Sequence, residues 1–136
     1  MRKFLLLTLI AFLSITFANA QVLEKKNIDS KAAKIESTRG SNPNIVTAKP
    51  ANDVPAVKPA EARGNTCTVN VVNHTGYTID IYVDGNYKGT VSAYGTGYTT
   101  AIPGSTKLYG QSVGGTMYWG PSYVDCGYSY TWNLYE

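Results

Sequence analysis

The side chains that could do covalent chemistry are few in this chain. Its only histidine is His74, and a serine or cysteine nucleophile needs such a base to take its proton. His74 lies in Asn73-His74-Thr75-Gly76, a sequence typical of a turn, and its first three residues also fit an N-glycosylation sequon. We therefore expect neither nucleophilic catalysis nor a histidine-based metal site.

Carboxylates offer little more. Any glycoside-cleaving pair after residue 64 must come from Asp80, Asp84, Asp125 and Glu136. Asp84 lies in a turn sequence, Asp84-Gly85-Asn86, which lacks the acidic ladder of a calcium loop, and Glu136 is the last residue. Two lysines against these four carboxylates give residues 64–136 a net charge of −2, which disfavours nucleic acid. The sequence predicts no enzyme, no cofactor and no nucleic-acid partner.

Tyrosine is the residue type that stands out. All 11 tyrosines follow Gly64, and exposed tyrosine rings stack on sugar faces and anchor protein interfaces at low entropic cost. Strand alternation predicts outward or loop positions for seven of them and inward positions for three. The outward set is Tyr77, Tyr82, Tyr94, Tyr109, Tyr118, Tyr123 and Tyr135, and the inward set is Tyr98, Tyr128 and Tyr130.

A row of such rings on one sheet would form a platform for a carbohydrate or a protein partner. Alternatively, tyrosine and threonine are simply good strand formers whose side chains cover a thin sandwich. Trp119 precedes Gly120-Pro121 at a strand break, and we expect it to be displayed at a rim beside Tyr118. Trp132 is expected in the core. The predicted binding surface consists of Tyr118, Trp119, Tyr82, Tyr109 and Tyr123.

The first 20 residues have the features of a secretory signal peptide. A basic start, Arg2-Lys3, precedes an apolar run over residues 4–17, and Ala18-Asn19-Ala20 supplies small residues for cleavage after Ala20. A run of 14 residues spans only about 21 Å as a helix, against roughly 30 Å of hydrocarbon. We expect a secreted or periplasmic protein, of bacterial type, that does not insert into a membrane after cleavage.

Export determines how the two cysteines are interpreted. Cys67 and Cys126 lack the CxxC spacing and the histidine partners of reactive or metal-binding thiols. In a small domain in an oxidising compartment they are most simply one disulfide. Closing a loop of about sixty residues would stabilise the fold by roughly 4 kcal/mol.

Residues 21–63 have the composition of a disordered linker. They contain eight Lys or Arg, five Asp or Glu, four prolines and no aromatic residue, so little apolar surface offsets an ordering entropy of ~1–2 kcal/mol per residue. Ile28, Ala32 and Ile35 have near-helical spacing, which allows a transient amphipathic turn or two. The net charge of +3 in this segment suits an acidic surface polymer, although interspersed charge usually marks a solvated spacer.

After Gly64 the pattern changes to strict alternation. Cys67, Val69 and Val71 share one face of a first strand, while Ile79 and Ile81 share the inner face of a second. Short connections argue against parallel order, and the fold class predicted for residues 64–136 is an all-β, small antiparallel sandwich with one disulfide. Seven strands are expected, at residues 66–72, 78–84, 87–91, 98–102, 106–112, 117–126 with a break, and 128–135.

Two turns in this block resemble a known family. Tyr82-Val83-Asp84-Gly85-Asn86-Tyr87-Lys88-Gly89 and, further on, Ala101-Ile102-Pro103-Gly104-Ser105 are similar to the hairpin and the Pro-Gly turn of PEGA-type surface-associated β-sandwich domains. The resemblance covers about thirty residues of the block and implies an accessory binding or structural role without catalysis. It carries over no site residue, and the cysteine pair is not part of that motif.

The sequence thus predicts a signal peptide (1–20), a linker (21–63) and a β-sandwich (64–136). Because no catalytic group emerges, we expect the sandwich to bind a glycan or cell-surface polymer through its tyrosine-rich face. The alternative is a structural or interaction protein, in which that face pairs with another protein or with copies of itself.

Overall fold

The computed structural model describes residues 24–36, 40–47, 49–50 and 66–136. Within these ranges the chain is all-β, with no helix, and so no helix there could span a membrane. The expected signal peptide, residues 1–20, lies outside the described residues, as does much of the expected linker.

Nine strands form two sheets that pack face to face. The first sheet has four strands in the order β1-β9-β3-β6, and the second has five in the order β2-β8-β7-β4-β5. The strands are β1 (Lys25–Lys31), β2 (Ala33–Lys34), β3 (Cys67–Asn73), β4 (Ile79–Val83), β5 (Asn86–Val91), β6 (Thr96–Ala101), β7 (Ser105–Ser112), β8 (Met117–Asp125) and β9 (Ser129–Tyr135).

The core lies between the sheets and is centred on two tryptophans. Trp119 and Trp132 are both fully buried, and each indole N–H is paired, Trp119 with the Tyr135 carbonyl and Trp132 with Ser30 Oγ, both at 2.8 Å. A Cβ at Gly110 would lie 3.1 Å from Ile79 Cγ2 and 3.6 Å from Trp132. Glycine at this point of β7 therefore makes room for the large side chains of the core.

The sandwich and the seven strands expected after Gly64 are confirmed as β3 to β9. The interrupted strand is one continuous element, β8, whose cis Gly120-Pro121 bond accompanies a register shift against β7. Cys67 and Cys126 form the expected disulfide, with their Cα atoms 5.2 Å apart. The bond ties the start of β3 to the β8–β9 turn, and so it links the two sheets.

The turn expected at Asp84-Gly85-Asn86 also forms. Val83 pairs with Asn86, which leaves Asp84 and Gly85 as a two-residue loop between β4 and β5. Both residues have positive φ, 50° and 79°, as a tight hairpin of matching twist requires. Asp84 Oδ1 accepts the Lys107 N–H at 2.8 Å, which fixes this hairpin against β7.

The linker prediction is wrong for residues 24–36, which form strands rather than a spacer or a helical turn. β1 pairs with β9 in the first sheet, and β2 pairs with β8 in the second. Only Ile28 and Ser30 of β1 face the core, and the charged residues that suggested a solvated segment lie along a sheet edge. Charged side chains are common on edge strands, where they oppose pairing with other chains.

The expectation of purely antiparallel order is also wrong, because β9 runs parallel to both of its neighbours, β1 and β3. Short connections exclude parallel pairing only between strands adjacent in sequence. Five strands, β4 to β8, lie between β3 and β9 along the chain, and they provide more than enough length for a crossover connection.

Candidate binding site

Four tyrosines form a row across the outer face of the five-stranded sheet. Tyr118, Tyr109, Tyr82 and Tyr87 lie on adjacent strands β8, β7, β4 and β5. Successive ring centroids are 6.0, 6.2 and 5.8 Å apart, within the range of favourable aromatic pairs. We call these four residues the tyrosine row. The structure thus contains a tyrosine cluster on one sheet, with neighbouring rings tilted by 24° to 66°, and three of its members belong to the predicted surface.

The middle of the row is covered by the chain itself. Residues 40–47 and 49–50, which we call the crossing segment, lie over the outer face of the sheet. Asn42 Nδ2 donates to Tyr109 Oη at 2.9 Å and to Gln111 Oε1 at 3.4 Å. The exposed fractions of Tyr82 and Tyr109 are consequently only 5% and 2%, whereas Tyr118 and Tyr87, at the two ends, are half-buried.

Backbone contacts hold the far end of the crossing segment. The N–H groups of Val46 and Thr47 donate to the Gly85 carbonyl at 2.8 and 3.1 Å, and Thr47 Oγ1 donates to Asn86 Oδ1 at 2.9 Å. Thr47 also forms an isolated parallel bridge with Asn86. The segment is thus joined to the β4–β5 hairpin as well as to Tyr109.

A network of hydrogen-bonded polar side chains lies at this end of the tyrosine row. Asp80, buried on β4, accepts Thr90 Oγ1 at 2.6 Å and Lys49 Nζ at 3.3 Å. Because the Thr90 hydroxyl donates to Asp80, the Tyr87 hydroxyl donates to Thr90 Oγ1, at 2.7 Å. Asp80 was expected on the outer face, and it is there, paired with a cation rather than free for acid chemistry.

Burial affects the pKa of the two central tyrosines of the row, Tyr82 and Tyr109. Burial, followed by the Asp80 carboxylate and then Tyr87 and Tyr109, raises the pKa of Tyr82 to about 12. Burial also raises the pKa of Tyr109, with Tyr118 adding to the effect and the Asn42 hydrogen bond opposing it. Both phenols are therefore neutral at physiological pH and act as hydrogen-bonding and stacking groups rather than as nucleophiles.

An open groove of about 780 Å³ lies at the β8 end of the row, between β2 and the crossing segment. Its floor contains the rings of Tyr118 and Tyr109, which are close to parallel at 24°, and the amide of Gln111. Polar and apolar side chains from both borders line the rest, including Lys34, Ile35, Glu36, Asn42, Asn44 and Ile45. An aromatic floor with a few amide and charged groups is typical of a small-ligand site.

The structure separates the other predicted surface residues from this groove. Trp119 is completely buried on the inner face of β8, so the expectation that it is displayed at a rim is wrong. The strand continues through Gly120-Pro121, and Trp119 pairs with Gly110 of β7 before the register shift. Tyr123 is 65% exposed and pairs with Lys107, away from the ring contacts of the row. Tyr82 lies in the row but beneath the crossing segment.

The tyrosines expected to point inward have mixed outcomes. Tyr130 is buried, as predicted, but Tyr98 is 51% exposed on the outer face of β6. Tyr98 was assigned to the wrong face of β6, because the buried residues of this strand are Thr99 and Ala101. Tyr128 is half-buried against the core, with Lys26 Nζ 3.2 Å from its ring centroid.

The predicted turn at His74 contains no reactive arrangement. His74 stacks on Tyr135 with 4.7 Å between ring centroids, and no group of three potential metal ligands occurs among the described residues. Asn73 is 1% exposed, and its amide donates to the Tyr77 and Ser92 carbonyls at 2.7 and 2.9 Å. The sequon is therefore inaccessible to a glycosylating enzyme once the domain has folded.

Comparison with protein-family models, with curated proteins and with solved structures finds no match to this chain.

The sequence did not predict either border of the groove, because residues 33–36 and 40–45 both lie in the expected linker. The available signal was weak: Ile35 and the pair Ile45-Val46 are the few large apolar residues in or next to these stretches. Asn42, which fixes the crossing segment to Tyr109, has no sequence pattern that would single it out.

Proposed function

We propose that this protein is an exported, non-catalytic binding module that holds a glycan or cell-surface polymer in the groove beside Tyr118. The observation that carries the proposal is the half-buried ring of Tyr118 on the groove floor, which is backed by the near-parallel ring of Tyr109 and bordered by amides and charged side chains. Sugar rings offer apolar C–H faces to aromatic rings and hydroxyls to amide and carboxylate groups.

Export supports this class of ligand. The N-terminal residues have the pattern of a cleavable signal peptide, and a disulfide closes the domain, as is usual in oxidising compartments. Glycans and surface polymers are the abundant ligands of such compartments. The neutral phenols of Tyr82 and Tyr109 and the paired carboxylate of Asp80 favour binding over catalysis.

The proposal is tested by calorimetric titration of the full chain with soluble oligomers of glucose, mannose and N-acetylglucosamine. We expect saturable binding to at least one of them. Tyr118→Ala should weaken that binding at least about thirtyfold, the effect of losing a central aromatic contact.

Tyr123→Ala is the matched control, because Tyr123 lies on the same strand and is exposed, but does not line the groove. Its affinity should equal that of the wild type. The proposal is wrong if no oligomer binds to folded protein, or if Tyr123→Ala loses as much affinity as Tyr118→Ala.

A further inference from the structure

The sandwich has four edge strands, and three of them are protected against pairing with another chain. β1 carries Lys25, Lys26 and Lys31, and β2 is only two residues long. β5 carries Lys88, has a register irregularity against β4, and is bridged by Thr47 of the crossing segment. Proteins usually prevent edge-to-edge association with charged side chains, short edge strands, irregular register, or a segment that covers the edge.

β6 has none of these devices. Its six residues, Thr96–Ala101, include no charged residue and no proline, and its register with β3 is continuous from Cys67 to Val72. Among residues 24–36, 40–47, 49–50 and 66–136, no strand pairs with its outer side. Tyr98 at its centre is 51% exposed.

The hydrogen-bonding groups of this free side can be assigned. The Asn73 N–H donates to the Gly95 carbonyl at 2.9 Å, and the pairing of β3 with β6 continues this register. Because hydrogen-bonded and non-hydrogen-bonded pairs alternate in an antiparallel ladder, Gly97 and Thr99 bond to β3. Thr96, Tyr98 and Thr100 then direct their N–H and C=O groups away from the sheet.

We propose that β6 pairs antiparallel with β6 of a second copy of this chain, about a two-fold axis at Tyr98. Such pairing joins the two four-stranded sheets into one of eight strands. Tyr98 then lies opposite Tyr98 of the second copy, and Thr96 lies opposite Thr100 on both sides of the axis. Aromatic and threonine cross-strand pairs of this kind stabilise antiparallel ladders.

A second copy fits this edge for two reasons. Antiparallel pairing about a two-fold axis is self-complementary, so the same three residues satisfy one another's backbone groups. The strand is also uncharged, so no two charged residues oppose each other in the paired strands, whereas pairing through β1 or β5 would place lysines within the paired strands themselves.

Sedimentation equilibrium of the full chain, with its disulfide formed, tests this proposal. We expect a concentration-dependent dimer. The double variant Thr96→Lys/Thr100→Lys places lysines opposite each other in the dimer and should raise its dissociation constant at least about tenfold. Thr68→Lys adds a lysine to the same exposed face on the neighbouring strand β3 and should leave the dimer unchanged.

The register has its own test. A variant with Thr96→Glu/Thr100→Glu should also be monomeric, but mixing it with the double lysine variant should restore a heterodimer, because residue 96 opposes residue 100. Near-ultraviolet circular dichroism of the buried tryptophans shows whether each variant is folded. A wild-type monomer at all concentrations overturns the proposal, as does a dimer that the double lysine variant leaves intact or a mixture that does not reassociate.

Discussion

The outer faces of the two sheets follow the same alternation of residues and yet differ in exposure. On the five-stranded sheet the outward residues include the four rings of the tyrosine row, and the crossing segment packs over the middle of that row, so that Tyr109 is 2% exposed. On the four-stranded sheet the outward residues are mostly polar or charged, no described segment crosses them, and Tyr98 is 51% exposed. Strand parity determines which face a side chain occupies, whereas exposure depends on what else the chain lays over that face.

Truncating one tyrosine on each face should give the largest contrast. Tyr109→Ala removes a buried ring and should lower the free energy of unfolding by about 3–4 kcal/mol. Tyr98→Ala removes an exposed ring and should change it by no more than about 1 kcal/mol. Urea denaturation of both variants measures the difference at a protein concentration where the chain is monomeric; equal losses would mean that the crossing segment does not cover Tyr109 in solution.

The second-largest effect is expected at high pH, which should lower the free energy of unfolding through Tyr82 on the covered face. The pKa of Tyr82 is raised to about 12 in the folded protein, against about 10 in an unfolded chain. Folding therefore favours the protonated phenol, and the resulting stability is complete below pH 10 and disappears as the pH rises from 10 to 12. We expect a loss on the order of 2 kcal/mol across this window.

Denaturation at pH 9, 10, 11 and 12 measures that loss, with Tyr82→Phe as the control. The phenylalanine variant keeps the ring but has no proton to lose, so its stability should fall less across the same range. If both proteins lose stability equally, the Tyr82 phenol is not buried as described.

The smallest effect is expected from the loss of a single hydrogen bond between the crossing segment and the tyrosine row. Asn42→Ala leaves the Tyr109 hydroxyl without its 2.9 Å donor and should cost about 1 kcal/mol. It should also increase nitration of Tyr109 by tetranitromethane, which mass spectrometry can locate. Asn27→Ala, at an exposed position on β1 of the other sheet, should change neither quantity.

The strands after Gly64 could be predicted because local rules govern them. Val69, Val71, Ile79 and Ile81 alternate with polar residues, and Asp84-Gly85 is the residue pair that a two-residue hairpin requires. The disulfide followed from having only two cysteines and a signal for export. Each of these inferences needs only a few neighbouring residues or a simple count.

What could not be predicted depends on contacts between distant parts of the chain. β1 is stabilised by parallel pairing with β9, about a hundred residues away, and by the Ser30–Trp132 hydrogen bond, neither of which leaves a mark on its own sequence. Likewise, Trp119 was assigned to a rim because Gly120-Pro121 suggested a break. β8 instead runs through this position, and the indole lies in the core.

The most direct test of the proposed glycan groove is a ¹H–¹⁵N NMR titration of the folded chain with an oligosaccharide that gives heat in calorimetry. The account predicts progressive shifts at Tyr118, Gln111 and Asn42, on the two sides of the groove, and none at Thr131 or Asn70 on the opposite sheet. Shifts confined to the four-stranded sheet, or spread equally over both faces, would contradict a binding site in the groove beside Tyr118.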